Sequence, residues 1–195
     1  MGRPRADANA VPTRERILQA AESAFGSDGF VRARLEDIAA DAGIRRPSLL
    51  YHFETKDLLY AAVVERLIEA LRQDLEGVMD MTASFDESMM NIAQVFMAFC
   101  DRRPAFASLL IRDLLDHRET VYQTVQGVIV PVLDLVEAFV QHQDGDVVPE
   151  GLPVRQALLM FCVDTMVRTG AGPLQEPLWG ADHQGLALAR QLFVR

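Results

Sequence analysis

Residues Leu35–Phe53 read LEDIAADAGIRRPSLLYHF, and the spacing of small and apolar residues in this stretch decides the fold. Two short helices are predicted, Leu35 to Ala42 and about Arg46 to Phe53, with Gly43 between them. Ile38 and Ala42 share one face of the first helix, Ala39 is small where two helices must cross closely, and Ile44 and Leu49 are spaced to pin the second helix back. Gly43 admits the left-handed backbone of a tight turn, and Pro47 falls in a first helical turn, where a missing N–H costs little. This is the pattern of a helix-turn-helix. A plain helical hairpin has the same geometric needs, so the outward chemistry must separate the two. Arg45, Arg46, Ser48, Tyr51 and His52 are donors suited to phosphates and base edges, and no acid lies among them.

Helical periodicity extends in both directions from this block. Thr13 is placed to cap a first helix with the apolar face Ile17, Leu18, Ala21, Ala24 and Phe25, stopped by Gly29. Thr55 is placed to cap a long fourth helix whose inward face runs from Leu59 through Val63, Leu67 and Leu71 to Leu75. Further helices are expected over 85–102, 104–116, 118–142 with a kink at Pro131, 154–169 and 183–193, separated by Gly/Pro-rich loops at 143–153 and 170–180. No strand pattern stands out, so the class is all-α with about nine helices.

Half of the 195 residues are apolar, enough for a sizeable core. Cys100 and Cys162 sit in apolar runs without metal-ligand or disulfide spacing, which fits a reducing, cytoplasmic setting. The net charge of −9 is unevenly spread: residues 1–56 hold nine Lys/Arg against eight Asp/Glu, and the remainder ten against twenty. A slightly basic module on an acidic body suits a protein that offers only one end to nucleic acid. No run of roughly 18 apolar residues suggests a membrane span.

Between Arg14 and Leu59 the segments ERILQAAESAFGSDGF, EDIAADAGI and SLLYHFETKDLL resemble the tetracycline-repressor (TetR) family. The resemblance implies a helix-turn-helix DNA-binding domain over residues 1–55 and an effector-binding and dimerisation domain over residues 56–195. It implies a transcriptional regulator, not an enzyme, whose dimer binds double-stranded operator DNA and is released by a small apolar or amphipathic effector. Carried onto this chain, it makes Arg46, Pro47 and Ser48 the start of the recognition helix, Tyr51 and His52 its middle, and Lys56 a phosphate contact. Two departures are visible. Ala33 and Arg34 stand where the family often has a hydroxyl cap, so Arg34 reaches a phosphate without capping, and Leu50 takes the usual tyrosine position, displacing the aromatic donor to Tyr51. A DNA-binding dimer without an effector, and a helical enzyme or binding protein whose hairpin binds no DNA, remain as alternatives.

Arg3 and Arg5 form a basic arm suited to a minor groove. His117, His142 and His183 are isolated, so no metal and no cofactor are expected, and no nucleophile elbow or phosphate loop points to catalysis. In the family the fourth to eighth helices enclose a cavity. Its expected lining is Phe96, Phe99, Cys100, Phe106, Leu110, Asp113, Tyr122, Phe161 and Asp164, aromatic walls with a few acids. Asn91, Arg112 and Arg168 are further polar interruptions of apolar helices. The helix around Ala157 to Val163 is apolar almost all round, and the last helix offers a second stripe. Leu158, Phe161, Cys162, Leu186, Ala189, Arg190 and Phe193 are therefore expected at a four-helix dimer interface.

Overall fold

The structure, a computed structural model, describes residues 11–79, 83–116, 123, 125–141, 153–181 and 184–194. Among them the chain is helical throughout: α1 (Thr13–Arg32), α2 (Leu35–Asp41), α3 (Arg46–His52), α4 (Lys56–Glu76), α5 (Phe85–Arg102), α6 (Pro104–Asp116), α7 (Val130–Gln141), α8 (Val154–Gly170), α9 (Gln175–Trp179) and α10 (Gly185–Phe193). The additional helix, α9, lies in the stretch 170–180 that was expected to be a loop. Its proline, Pro177, sits within the first turn, where the lost N–H has no intrahelical partner to lose. No helix among the described residues is long and apolar enough to cross a membrane.

Two compact units divide between Val63 and Val64, inside α4 rather than at its start. In the first, α1 buries Ile17, Leu18, Ala21 and Phe25, the stripe its periodicity announced. Thr13 does not cap it. The residue is already helical, Pro12 precedes it, and no side chain accepts the free N–H groups. Gly29, at φ 74°, breaks the helical backbone as expected, yet one more turn follows to Arg32. Thr55 does cap α4, its Oγ1 accepting from the Leu58 N–H at 3.1 Å. The first turns of α4 join the first unit through Tyr60, whose ring meets Phe25 and Phe30 edge-on at 5.0 and 5.2 Å. Edge-to-face pairs of this kind add to area burial, and they tie the start of α4 to α1.

In the second unit α8 is central, packing against α5, α6, α7, α9 and α10. A capping box starts α5: the Glu87 N–H donates to Ser84 Oγ, and the Ser84 N–H donates to the Glu87 carboxylate, both at 3.3 Å. Asp74 of α4 accepts from Arg102 of α5 at 3.0 Å, and Glu137 of α7 accepts from Arg155 of α8 at 2.8 Å. The interruption expected at Pro131 takes the form of a π turn, Val125–Ile129, directly before α7. Proline supplies no N–H and crowds the carbonyl four residues back, so the backbone widens there.

Candidate DNA-binding surface and effector cavity

The turn between α2 and α3 closes with two backbone bonds: the Ile44 N–H donates to Ala39 O and the Gly43 N–H to Ala40 O, each at 2.9 Å. This pairing is the Schellman arrangement, and it needs the left-handed backbone that Gly43 adopts at φ 68°. Ile38, Ala39, Ala42 and Leu49 are all buried behind it. Pro47 sits in the first turn of α3, with Arg45 as its N-terminal flanking residue. Of the seven residues of α3 only Leu49 is buried. A helix that gives one side chain to its own core and turns Arg46, Pro47, Ser48, Tyr51 and His52 to solvent is shaped for an outside partner. Tyr51 is 87% exposed and meets His52 edge-on.

Three cations around α3 are already engaged. Arg46 pairs with Glu36 of α2 at 3.1 Å, both side chains being about half exposed. Arg34, exposed, is the flanking residue at the start of α2 and forms no side-chain cap. Lys56 is half-buried: its ammonium donates to Val31 O at 3.3 Å and lies 4.7 Å from the Phe30 ring centroid, so it ties α4 to the end of α1. Arg14 was not singled out in the sequence, yet its guanidinium sits 5.1 Å over Phe53, at the far end of α3. Only tertiary packing brings those two together. Arg3 and Arg5 lie outside the described residues.

The model of the N-terminal domain of bacterial regulatory proteins of the tetR family matches residues 17–63, the span just described. Residues 17–63 are a tetR-family N-terminal domain. The HTH-type transcriptional regulator RutR of Escherichia coli K12 is 33% identical over 108 residues, 50% of this chain and 51% of RutR. The chain thus spans about half the length of that curated relative. A TetR-like transcriptional regulator from Rhodococcus sp. RHA1 superposes with a TM-score of 0.70 at 19% identity, over 94% of this chain and 98% of that one. SmeT, solved as a triclosan complex, superposes with a TM-score of 0.69 at 23% identity, over 94% of this chain and 92% of that one. These two likenesses extend the TetR fold through the second unit.

That second unit holds a cavity of about 180 Å³. Its wall takes residues from α4 (Ile68, Leu71, Leu75), α5 (Met89, Phe96), α6 (Phe106, Leu110), α7 (Val132), α8 (Phe161, Met166) and α10 (Phe193). Phe96, Phe106, Leu110 and Phe161 of the expected lining are on it. Phe99 and Cys100 are buried behind it, Phe99 meeting Phe106 edge-on at 5.1 Å. Burial, with a smaller contribution from nearby Cys162, pushes the Cys100 thiol up to about 12. Asp164 is off the wall altogether, its carboxylate accepting from the Trp179 indole N–H at 2.9 Å. The Asp113 side chain and Tyr122 lie outside the described residues. Asn91 and Arg112 are exposed, and Arg168 is buried away from the wall.

The expected dimer residues are mostly turned inward. Leu158, Phe161, Cys162 and Phe193 line the cavity, and Ala189 is buried in the subunit. Side chains so covered have little surface left for a partner. Leu186 is half-buried and Arg190 exposed. The outward face of α8 instead carries Met160 and Val167, 51% and 37% exposed and off the cavity wall, while Leu159 and Val163, each 42% exposed, stand at the edge of that wall. Among the described residues no three His, Cys, Asp or Glu cluster as a metal site, and His117, His142 and His183 lie outside them.

Proposed function

We propose that the chain is a homodimeric transcriptional repressor that binds operator DNA through α3 and leaves it when a small molecule fills the cavity of the second unit. The carrying observation is α3 itself, seven residues with one buried and a polar, acid-free outward face. Arg45, Arg46 and Ser48 touch base edges in this reading, while Tyr51, Lys56, Arg34 and Arg14 meet phosphates, with His52 beside Tyr51. Two copies pair through the outward stripe of α8, Met160 and Val167 with Leu159 and Val163 at the cavity edge beside them, which is too apolar to leave in water and lies on a helix of 17 residues. On α8 this replaces Leu158, Phe161 and Cys162 by more exposed neighbours, and it leaves α10 out of the interface.

The effector part of the reading rests on α4. Its early residues pack in the first unit and its later ones, Ile68, Leu71 and Leu75, stand on the cavity wall, so an occupant touches a helix that also carries Lys56. The relative solved with triclosan is a precedent for ligand occupancy in this fold. Repression and release take place in the cytoplasm, where the DNA is.

Selection of bound duplexes from a random pool with the purified chain tests the proposal. The expected result is an enriched sequence with two symmetry-related half-sites. A pool left unenriched contradicts operator binding.

A further inference from the structure

We infer that the cavity accepts an uncharged hydrophobe with few or no hydrogen-bonding groups, about the size of a benzene ring carrying two or three extra carbons. This rests on the reading of the second unit as an effector domain, and it narrows that reading to one ligand chemistry. Each described residue on the wall is apolar or a thiol: Ile, Leu, Val, Met, Ala and Phe side chains together with Cys162. Burial pushes the Cys162 thiol up to about 12, so it stays protonated and neutral at physiological pH. A carboxylate or ammonium entering such a space sheds its hydration and meets no described polar side chain to replace it. A neutral hydrocarbon sheds only unfavourable contact with water.

Size follows from volume. A Leu/Ile/Phe-lined cavity of about 150 Å³ holds benzene and otherwise stays dry. The ~180 Å³ here leaves room for a ring and a few more carbons. Two of the walls are aromatic, Phe96 and Phe161, their ring centroids 6.1 Å apart at 52°, a tilted pair whose faces and edges suit a third ring. Met89 and Met166 are the adaptable part of the wall. The acids expected to orient a polar or cationic ligand do not do so here as far as they are described, because Asp164 is held by Trp179 instead.

The test uses the full chain with three probes of one shape: p-xylene, p-toluate and p-methylbenzylammonium. Methyl NMR of the methionines reports the site, since Met89 and Met166 line the cavity and Met160 lies on the outward face of α8. The expected result is that p-xylene moves the Met89 and Met166 signals, leaves Met160 in place, and raises Tm by roughly 3 °C at ten times its Kd. Both ions are expected to bind at least a hundredfold more weakly. Ala93→Leu, which fills part of the cavity from α5, should keep the fold and lose the p-xylene response. Met89 and Met166 signals unmoved by p-xylene, or an ion binding as tightly, would overturn the inference. Operator affinity measured in the same samples separates the two readings. If p-xylene binds and operator affinity does not change, the ligand class stands and the effector reading falls.

Discussion

Helices α3 and α8 both offer solvent more than their own subunit needs, and the chemistry of the surplus differs. On α3 it is Arg46, Ser48, Tyr51 and His52; on α8 it is Met160 and Val167, with Leu159 and Val163 shared between solvent and the cavity. A polar, acid-free surplus has no reason to leave water except for an anionic partner, whereas an apolar surplus gains from any cover that excludes water. One chain thereby carries two kinds of incompleteness, and they call for different partners.

The largest expected effect separates the two faces of the second unit. Phe193→Glu puts a carboxylate into the cavity wall at a position 2% exposed, so it should cost more than about 4 kcal/mol and remove cooperative unfolding. Met160→Glu, on the outward face of α8, should leave Tm within a few degrees and convert the dimer to monomer in sedimentation. A Met160→Glu protein that remains dimeric would strike the α8 stripe from the interface.

Next comes the turn that aims α3. At Gly43 an added Cβ would find its nearest neighbour, Arg16 Nη1, at 3.4 Å, so the strain lies in the φ of +68° and not in space. Gly43→Ala should cost about 1–2 kcal/mol in denaturant unfolding, and Gly43→Asn less, because asparagine tolerates this backbone. Equal costs would mean that the turn is not the constraint.

Lys56→Ala should act in two ways, since the ammonium holds Val31 O and lies on Phe30 before any DNA arrives. Stability should fall by about 1 kcal/mol, and the slope of log affinity against log salt should flatten by about two units in a dimer. A stability loss with an unchanged slope would make Lys56 structural only. The smallest effect belongs to Glu36, which competes with phosphate for Arg46. Glu36→Gln should tighten binding to any duplex, by less than about 1 kcal/mol because the pair is exposed. Weaker binding would instead make Glu36 the group that aims Arg46.

The first unit was legible in the sequence because its determinants are local. Gly43, Pro47 and Thr55 act on backbone within a few residues of themselves, and Leu49 faces inward because the turn leaves it no other choice. The second unit was legible as helices but not as faces. Leu159 and Met160 are apolar neighbours on a helix apolar nearly all round, and only packing against α5, α6 and α7 decides that Leu159 reaches the cavity wall while Met160 meets solvent. Asp164 looked like a ligand group because it interrupts an apolar helix; α9, in a stretch expected to be loop, brings Trp179 to it. Thr13 failed as a cap because a hydroxyl residue before an apolar stripe does not specify which residue begins the helix, and here Pro12 takes the flanking position.

The most direct measurement is an anisotropy titration of wild type and Arg46→Ala on the selected operator and on a scrambled duplex of equal length. Wild type should prefer the operator, and Arg46→Ala should lose roughly 1–3 kcal/mol for each base contact on the operator while its affinity for the scrambled duplex falls far less. Equal losses on the two duplexes would reduce Arg46 to a phosphate anchor, and a wild-type protein that binds neither duplex would contradict the assignment of α3 to DNA.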